Sequence, residues 1–197
     1  MASEIKFEFD QITVKDIEKK LGRMKSEAPR ALKNALNKTA KDARSDLAKK
    51  AQETYAVKVG GFSSRMKIKP ATAGNLEAVI ETRGKPVEMR YFSHRGGRKG
   101  AQLYVTIIKG FQKSMGRRSF YNKISKKGQS GSGHMAIAKF VGGSKEQPNR
   151  LKIEEKYSVS VPQMIGSKRR VYGVLEPNIQ EHLRNNVDKQ VSKILGR

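Results

Sequence analysis

Cysteine is missing from this chain of 197 residues, and histidine is nearly so, with only His94, His134 and His182, far apart. The first absence removes disulfides, thiolate metal sites and cysteine nucleophiles together, and it fits assembly in a reducing cytoplasm. The second leaves a zinc ion without the three or four convergent ligands it needs, so no metal site is expected. Long apolar runs are also missing, and none approaches the roughly 20 residues that cross a bilayer. The stretch Ile5, Lys6, Phe7, Glu8, Phe9, Asp10 after the start has no basic segment followed by an apolar core. Neither a secretory leader nor a membrane partner is expected.

Acidic residues are outnumbered: 18 Asp and Glu stand against 42 Lys and Arg, for a formal charge of +24 and a pI of about 10.3. Such an excess calls for a polyanion or an acidic neighbour when subunits are packed densely. The imbalance is regional. Residues 89–145 hold thirteen cations, namely Arg90, Arg95, Arg98, Lys99, Lys109, Lys113, Arg117, Arg118, Lys123, Lys126, Lys127, Lys139 and Lys145, and not one Asp or Glu. Clusters of this kind suit phosphate neutralisation, where each contact releases a counterion and binding depends on salt but not on base sequence. A solubilising surface or an acidic protein neighbour is the blander alternative. Tyr91, Phe92, Tyr104, Phe111, Phe120, Tyr121 and Phe140 lie among these cations. Single-strand binders stack bases on exposed aromatics, but at strand spacing aromatics more often fill a core, so contact with a duplex backbone is preferred over base recognition.

Catalytic patterns fail one by one. Gly142, Gly143, Ser144 and Lys145 lack the GxxxxGK[ST] spacing of a phosphate loop, and no GxSxG elbow occurs. Glu154 and Glu155 are adjacent, so their side chains diverge on a strand or a helix and make a poor acid/base pair. A nuclease would need an acidic metal cluster that the basic middle does not offer. The expectation is a non-enzymatic chain with no catalytic residues and no cofactor.

Periodicity points to an α+β fold. Ile5, Phe7 and Phe9 alternate with polar residues as in a half-buried strand. Val14, Ile17, Leu21 and Met24 have helical spacing with Thr13 as a candidate N-cap. Beyond Gly22, with Pro29 in a first turn, a long helix follows whose stripe reads Leu32, Leu36, Thr39 or Ala40, Ala43, Leu47 and Ala51. Strands are expected at residues 66–69 and 76–83, joined as a hairpin, then at 87–92 and 103–108, with a cationic loop over residues 93–100 between the last two. The Gly/Ser-rich stretch 128–133 reads as the tip of a long flexible hairpin loop spanning 122–134, followed by an apolar run at 135–141. Pro177 near a helix start, then Ile179, Leu183, Val187 and Val191, make a terminal amphipathic helix. A chain of this length is expected to form one domain, with a strand and helices over 1–55, a strand-rich basic region over 56–175 and the last helix over 176–197.

Two stretches carry a resemblance. Leu36, Asn37, Lys38, Thr39 and Ala40, followed by Tyr55, Ala56, Val57 and Lys58, resemble the opening of the prophage minor tail protein Z family of the lambda type and related tail-completion proteins. Residues 150–164, Arg-Leu-Lys-Ile-Glu-Glu-Lys-Tyr-Ser-Val-Ser-Val-Pro-Gln-Met, are similar to a second and more specific segment of that family. The resemblance implies a structural virion protein at the head-proximal end of a phage tail, assembled in the host cytoplasm. It implies a homo-oligomeric ring, expected to be hexameric, beside connector proteins such as the tail terminator and tail tube and close to double-stranded DNA. A free-standing, sequence-independent nucleic-acid-binding protein is the alternative.

Within that expectation, Arg95, Arg98, Lys99, Lys113, Arg117, Arg118, Lys123, Lys126 and Lys127 are the residues expected to face DNA or an acidic lumen. Leu32, Leu36, Ala43, Leu47, Ile179, Leu183 and Val187 are candidate contacts between subunits, unless the subunit's own core uses them.

Overall fold

The computed structural model of the chain describes residues 2–8, 11–58, 61–97, 101–124, 133–142 and 152–196. They form an α+β arrangement of two compact units, each built from separate stretches. The first comprises Met1–Ala51, Gly61–Gly84 and Val161–Arg197, and the second Gln52–Gly60 and Lys85–Ser160.

The first unit holds strand β1 (Ala2–Glu8), helices α1 (Gln11–Leu21) and α2 (Ala28–Thr54, its last residues from Gln52 counted with the second unit), strands β2 (Met66–Lys69) and β3 (Glu77–Arg83), and helices α3 (Val161–Ile165) and α4 (Tyr172–Ile194). Its sheet is antiparallel in the order β1-β3-β2. Alternation explains β1: Ile5 and Phe7 are buried, opposite Ile80 and Ala78, while Glu4, Lys6 and Glu8 stay exposed. The central β3 is buried at five successive positions from Ala78 to Thr82. That run includes Glu81, whose carboxylate accepts a hydrogen bond from Arg83 Nε at 2.9 Å and lies 3.5 Å from Lys69 Nζ. The expected hairpin of β2 and β3 forms, closed by Thr72 N–H donating to the Asn75 carbonyl at 2.9 Å.

The helices of this unit pack on an alanine-rich stripe. Ala35, Leu36, Ala40, Ala43, Leu47 and Ala51 of α2 are all buried, and small residues let a neighbouring backbone approach closely. Ile17 and Leu21 of α1, Leu32 of α2 and Val191 of α4 form one apolar cluster with Val187 against it. Between α2 and α4, Asn186 Nδ2 donates to Thr39 Oγ1 at 3.0 Å in a fully buried pair. Two helix starts differ from expectation. The first helix begins at Gln11, ahead of Thr13, and α4 begins at Tyr172, so Pro177 sits inside it. That proline costs one helical bond, to the Gly173 carbonyl.

The second unit is made of short strands: β4 (Pro86–Glu88), β5 (Ser93–Arg95), β6 (Tyr104–Ile108), β7 (Phe111–Ser114), β8 (Ser119–Ile124), β9 (His134–Val141), β10 (Lys152–Glu155) and β11 (Tyr157–Ser160). They group as β5-β6-β7, β10-β9-β8 and β11-β4, all antiparallel. The strand expected at 87–92 is broken by a 3-10 turn, Met89–Tyr91. The break is fixed from far along the chain, because Arg90 pairs with Glu88 at 2.6 Å and donates from Nη1 to the Met135 carbonyl at 3.0 Å. Ser93, His94 and Arg95 are therefore strand residues rather than loop, held by pairing with β6. Likewise Asn122, Lys123 and Ile124 belong to the β8–β9 ladder, opposite Ala136, Met135 and His134. The rest of the expected loop, residues 125–132, lies outside the described residues. Residues 55–58 are stitched to the β5–β6 region, with Ala56 N–H donating to the Ile107 carbonyl at 2.9 Å and Lys58 N–H to the Tyr91 carbonyl at 2.7 Å.

Candidate functional site

The expected cations that are described all stand in the second unit, on three separate structural supports. Arg95 ends β5, exposed, with its guanidinium 5.2 Å from the centre of the Tyr104 ring. Lys113 is exposed on β7. Register pairs it with Val105, and Val105 with His94, so Lys113 shares a face with His94 while Arg95 occupies the opposite face of the same sheet. Arg117 and Arg118 form the exposed turn between β7 and β8. Arg118 has φ +66°, a left-handed backbone uncommon outside glycine, and the turn is fastened by Phe140 N–H to the Arg118 carbonyl at 3.0 Å and by Ser119 Oγ to the Met115 carbonyl at 2.8 Å. Lys123 is exposed on β8, opposite Met135. Arg98, Lys99, Lys126 and Lys127 lie outside the described residues.

Electrostatically this region is marked by the absence of Asp and Glu from residues 89–145. Some cations elsewhere are paired, as in Lys6 with Glu77 at 3.2 Å, Lys69 with Glu81 and Lys156 with Glu154 at 3.0 Å. Among the described residues, no carboxylate lies within ion-pair distance of Arg95, Lys113, Arg117 or Arg118. Sequence reading did not single out a shallow groove of about 430 Å³ lined by Tyr55, Val57, Lys58, Ser93, Thr106 and Lys109. Its cations come from stretches apart in sequence, and only the Tyr-Ala-Val-Lys motif at 55–58 hinted at it.

The aromatics behave mainly as packing. Phe92 is fully buried, Phe120 and Phe140 rings lie 4.7 Å apart, and the Tyr121 ring lies tilted, 4.3 Å from His94, whose Nδ1–H donates to the Phe92 carbonyl at 2.9 Å. Phe111 is the exception, and is 73% exposed. The seven candidate subunit contacts are placed in the first unit's own core: Leu32, Leu36, Ala43, Leu47, Ile179 and Leu183 are buried, and Val187 packs on the helical cluster. They leave little side-chain surface for a second copy. The histidines are dispersed, with His134 Nε2 at 3.2 Å from Glu155 and His182 Nδ1 at 3.9 Å from Asp46. Among the described residues, no three of His, Asp and Glu converge, and no helix is long and apolar enough to cross a membrane.

A family model for prophage minor tail protein Z matches residues 14–197. The chain belongs to that family. As a minor tail protein it is a structural component of a phage tail, and the match spans stretches of both units. No curated protein and no solved structure matches the chain. The stretches that carry the sequence resemblance now have a place: Leu36–Ala40 of this minor tail protein lie in α2, with Leu36, Thr39 and Ala40 on its buried stripe, residues 55–58 are stitched to β5 and β6, and residues 152–164 form β10, β11 and the start of α3.

Proposed function

We propose that this minor tail protein completes the head-proximal end of the tail as a homo-oligomeric, hexameric ring, next to tail tube and terminator proteins, and turns cations of its second unit toward the DNA. The supporting observation is the set Arg95, Lys113, Arg117 and Arg118, exposed and without carboxylate partners among the described residues, in a stretch, 89–145, that has no acid of its own. Cyclic symmetry repeats each of these charges around an axis. A sequence-independent positive field is the consequence, suited to phosphates passing through a channel. The role is positioning and charge neutralisation; no catalytic group or cofactor takes part.

Duplex binding measured across a salt series tests this. Each phosphate contact contributes roughly 0.9 to the slope of log K against log salt, so a Lys113→Ser, Arg117→Ser, Arg118→Ser variant should lose about two to three in slope while keeping its melting temperature. Unchanged affinity and slope would remove these cations from the proposal. Tight binding by a monomer, with no ring under any condition, would favour a free-standing nucleic-acid binder instead.

A further inference from the structure

The sheet β5-β6-β7 has one covered and one open face. Register sets His94, Val105 and Lys113 on the first. Val105 is fully buried there and the His94 ring lies 4.3 Å from Tyr121 of β8, so that face is covered at β5 and β6. The other face carries two rows, Ser93 with Thr106 and Gln112, then Arg95 with Tyr104 and Ser114, all half-buried or exposed. Gln102 ties the second row together, donating from Nε2 to Ser114 Oγ at 2.6 Å and accepting from Tyr104 Oη at 3.3 Å.

Ser93 and Thr106 of the first row also line the shallow groove at the end of α2. Tyr55 bridges to Ile108 and Val57 to Phe92, which brings Lys58 to the same groove as Lys109. Neither lysine has an ion-pair partner among the described residues, and Glu53, the acid nearest in the chain, is not part of the lining. The Thr54 carbonyl at the C-terminal end of α2, whose partial negative charge would oppose an anion, already accepts from Lys109 N–H at 2.9 Å. Of the larger apolar lining residues Tyr55 is buried and Val57 half-buried, while Gln52, Lys58 and Lys109 are exposed. A protein partner needs an apolar centre to cover, and this lining offers little of one. Phosphate oxygens are held instead by Lys, Arg, Ser, Thr, Gln and Tyr side chains, the set that stands here.

We infer that this face and its groove form a track for a phosphate backbone. Lys58 and Lys109 neutralise phosphates at the groove, Ser93 and Thr106 donate their hydroxyl hydrogens to oxygens of the same strand, and Arg95 holds that strand further along the sheet. From Tyr104 to Ile108 the track runs about 13 Å at about 3.4 Å per residue, over which one DNA strand presents about four phosphates. The inference rests on the proposed DNA-facing role and adds to it two lysines on which that proposal does not rely.

The full-length chain and a short duplex, measured across a salt series, test the track. A Lys58→Ser, Lys109→Ser variant should lose about two in slope, at roughly 0.9 per contact, with the parent's melting temperature, and Lys58→Arg, Lys109→Arg should keep the slope. Lys168→Ser, Arg169→Ser removes the same charge from an exposed turn of the first unit and should leave the slope nearly unchanged. In the parent chain, backbone amide signals of Ser93 and Thr106 should move when duplex is added while those of Val79 and Ile80 stay, a reading that needs no variant. Equal slope losses from the two serine variants, or signals of Ser93 and Thr106 that do not move, overturn the track. A groove variant with the parent's slope, beside a loss in the Lys113, Arg117 and Arg118 variant, overturns the track and leaves the DNA-facing role standing. A parent chain that binds no duplex overturns both. Polyglutamate bound more tightly than duplex at equal charge and salt, and weakened in the groove variant, assigns the groove to an acidic protein and overturns the track.

Discussion

Asn186 and Thr39 show how much a single polar pair can carry inside an apolar helix contact. Both are buried, and each satisfies the other. Asn186→Ala leaves the threonine hydroxyl without that donor, a loss of about 1–3 kcal/mol, read as a melting temperature lower by about 2–4 °C per kcal/mol. A variant melting within a degree of the parent would show the pair to be dispensable. Glu81 makes a prediction of a different kind. The hydrogen bond from Arg83, reinforced by the charges of Arg83 and Lys69 against the opposing effect of burial, holds its carboxyl below the ordinary carboxylate value of 4.5. A depressed pKa in the folded chain means that its stabilising contribution is present above the unfolded value and is lost as pH falls through the folded one. Below pH 4.5 the parent should therefore lose stability more steeply than Glu81→Gln, and parallel acid-unfolding curves would count against the pairing. Arg118 separates charge from conformation: Arg118→Gly relieves a left-handed backbone while removing a cation, so it should hold or raise the melting temperature and still weaken duplex binding.

At the scale of elements, the helices were legible because their signal is local. The stripe from Leu32 to Ala51 has a 3.6-residue period, and every position in it is buried. The close packing this implies is testable: Ala40→Leu adds bulk where no surface remains and should cost about 1–3 kcal/mol by overpacking, seen in denaturant unfolding at constant m-value. The broken strand at 86–95 was not legible, because the break depends on Arg90 reaching Met135, 45 residues away. The candidate site divides the same way. Acid depletion, and Arg117 and Arg118 as candidate cations, could be read from the sequence. That Arg95 and Lys113 occupy opposite faces could not, since a face is set by register across β5, β6 and β7 and a shift of one residue reverses it. Nor could the burial of Leu36 or Leu183 within the subunit be told from burial against a neighbour, because the same apolar period serves both.

For the molecule as a whole, the charge of +24 couples stability to its surroundings. A polyanion that binds only the folded chain stabilises it by about 2.7 kcal/mol at a hundred times its dissociation constant. A short duplex should therefore raise the melting temperature by several degrees at low salt, and the rise should vanish near 0.5 M salt as the Debye length shrinks to about 4 Å. An unshifted transition at low salt would show that the positive excess meets no phosphate.

One detail of the backbone bears on how this chain tolerates change. A Cβ added to Gly84 would lie 3.3 Å from Pro162 Cδ, so the polypeptide departs from the first unit at Gly84 and comes home beside the same spot at Val161 and Pro162. With both ends of the 85–160 stretch held side by side, a change in its length need not part Gly84 from Pro162, and differences in length among members of the family are expected to collect within that stretch.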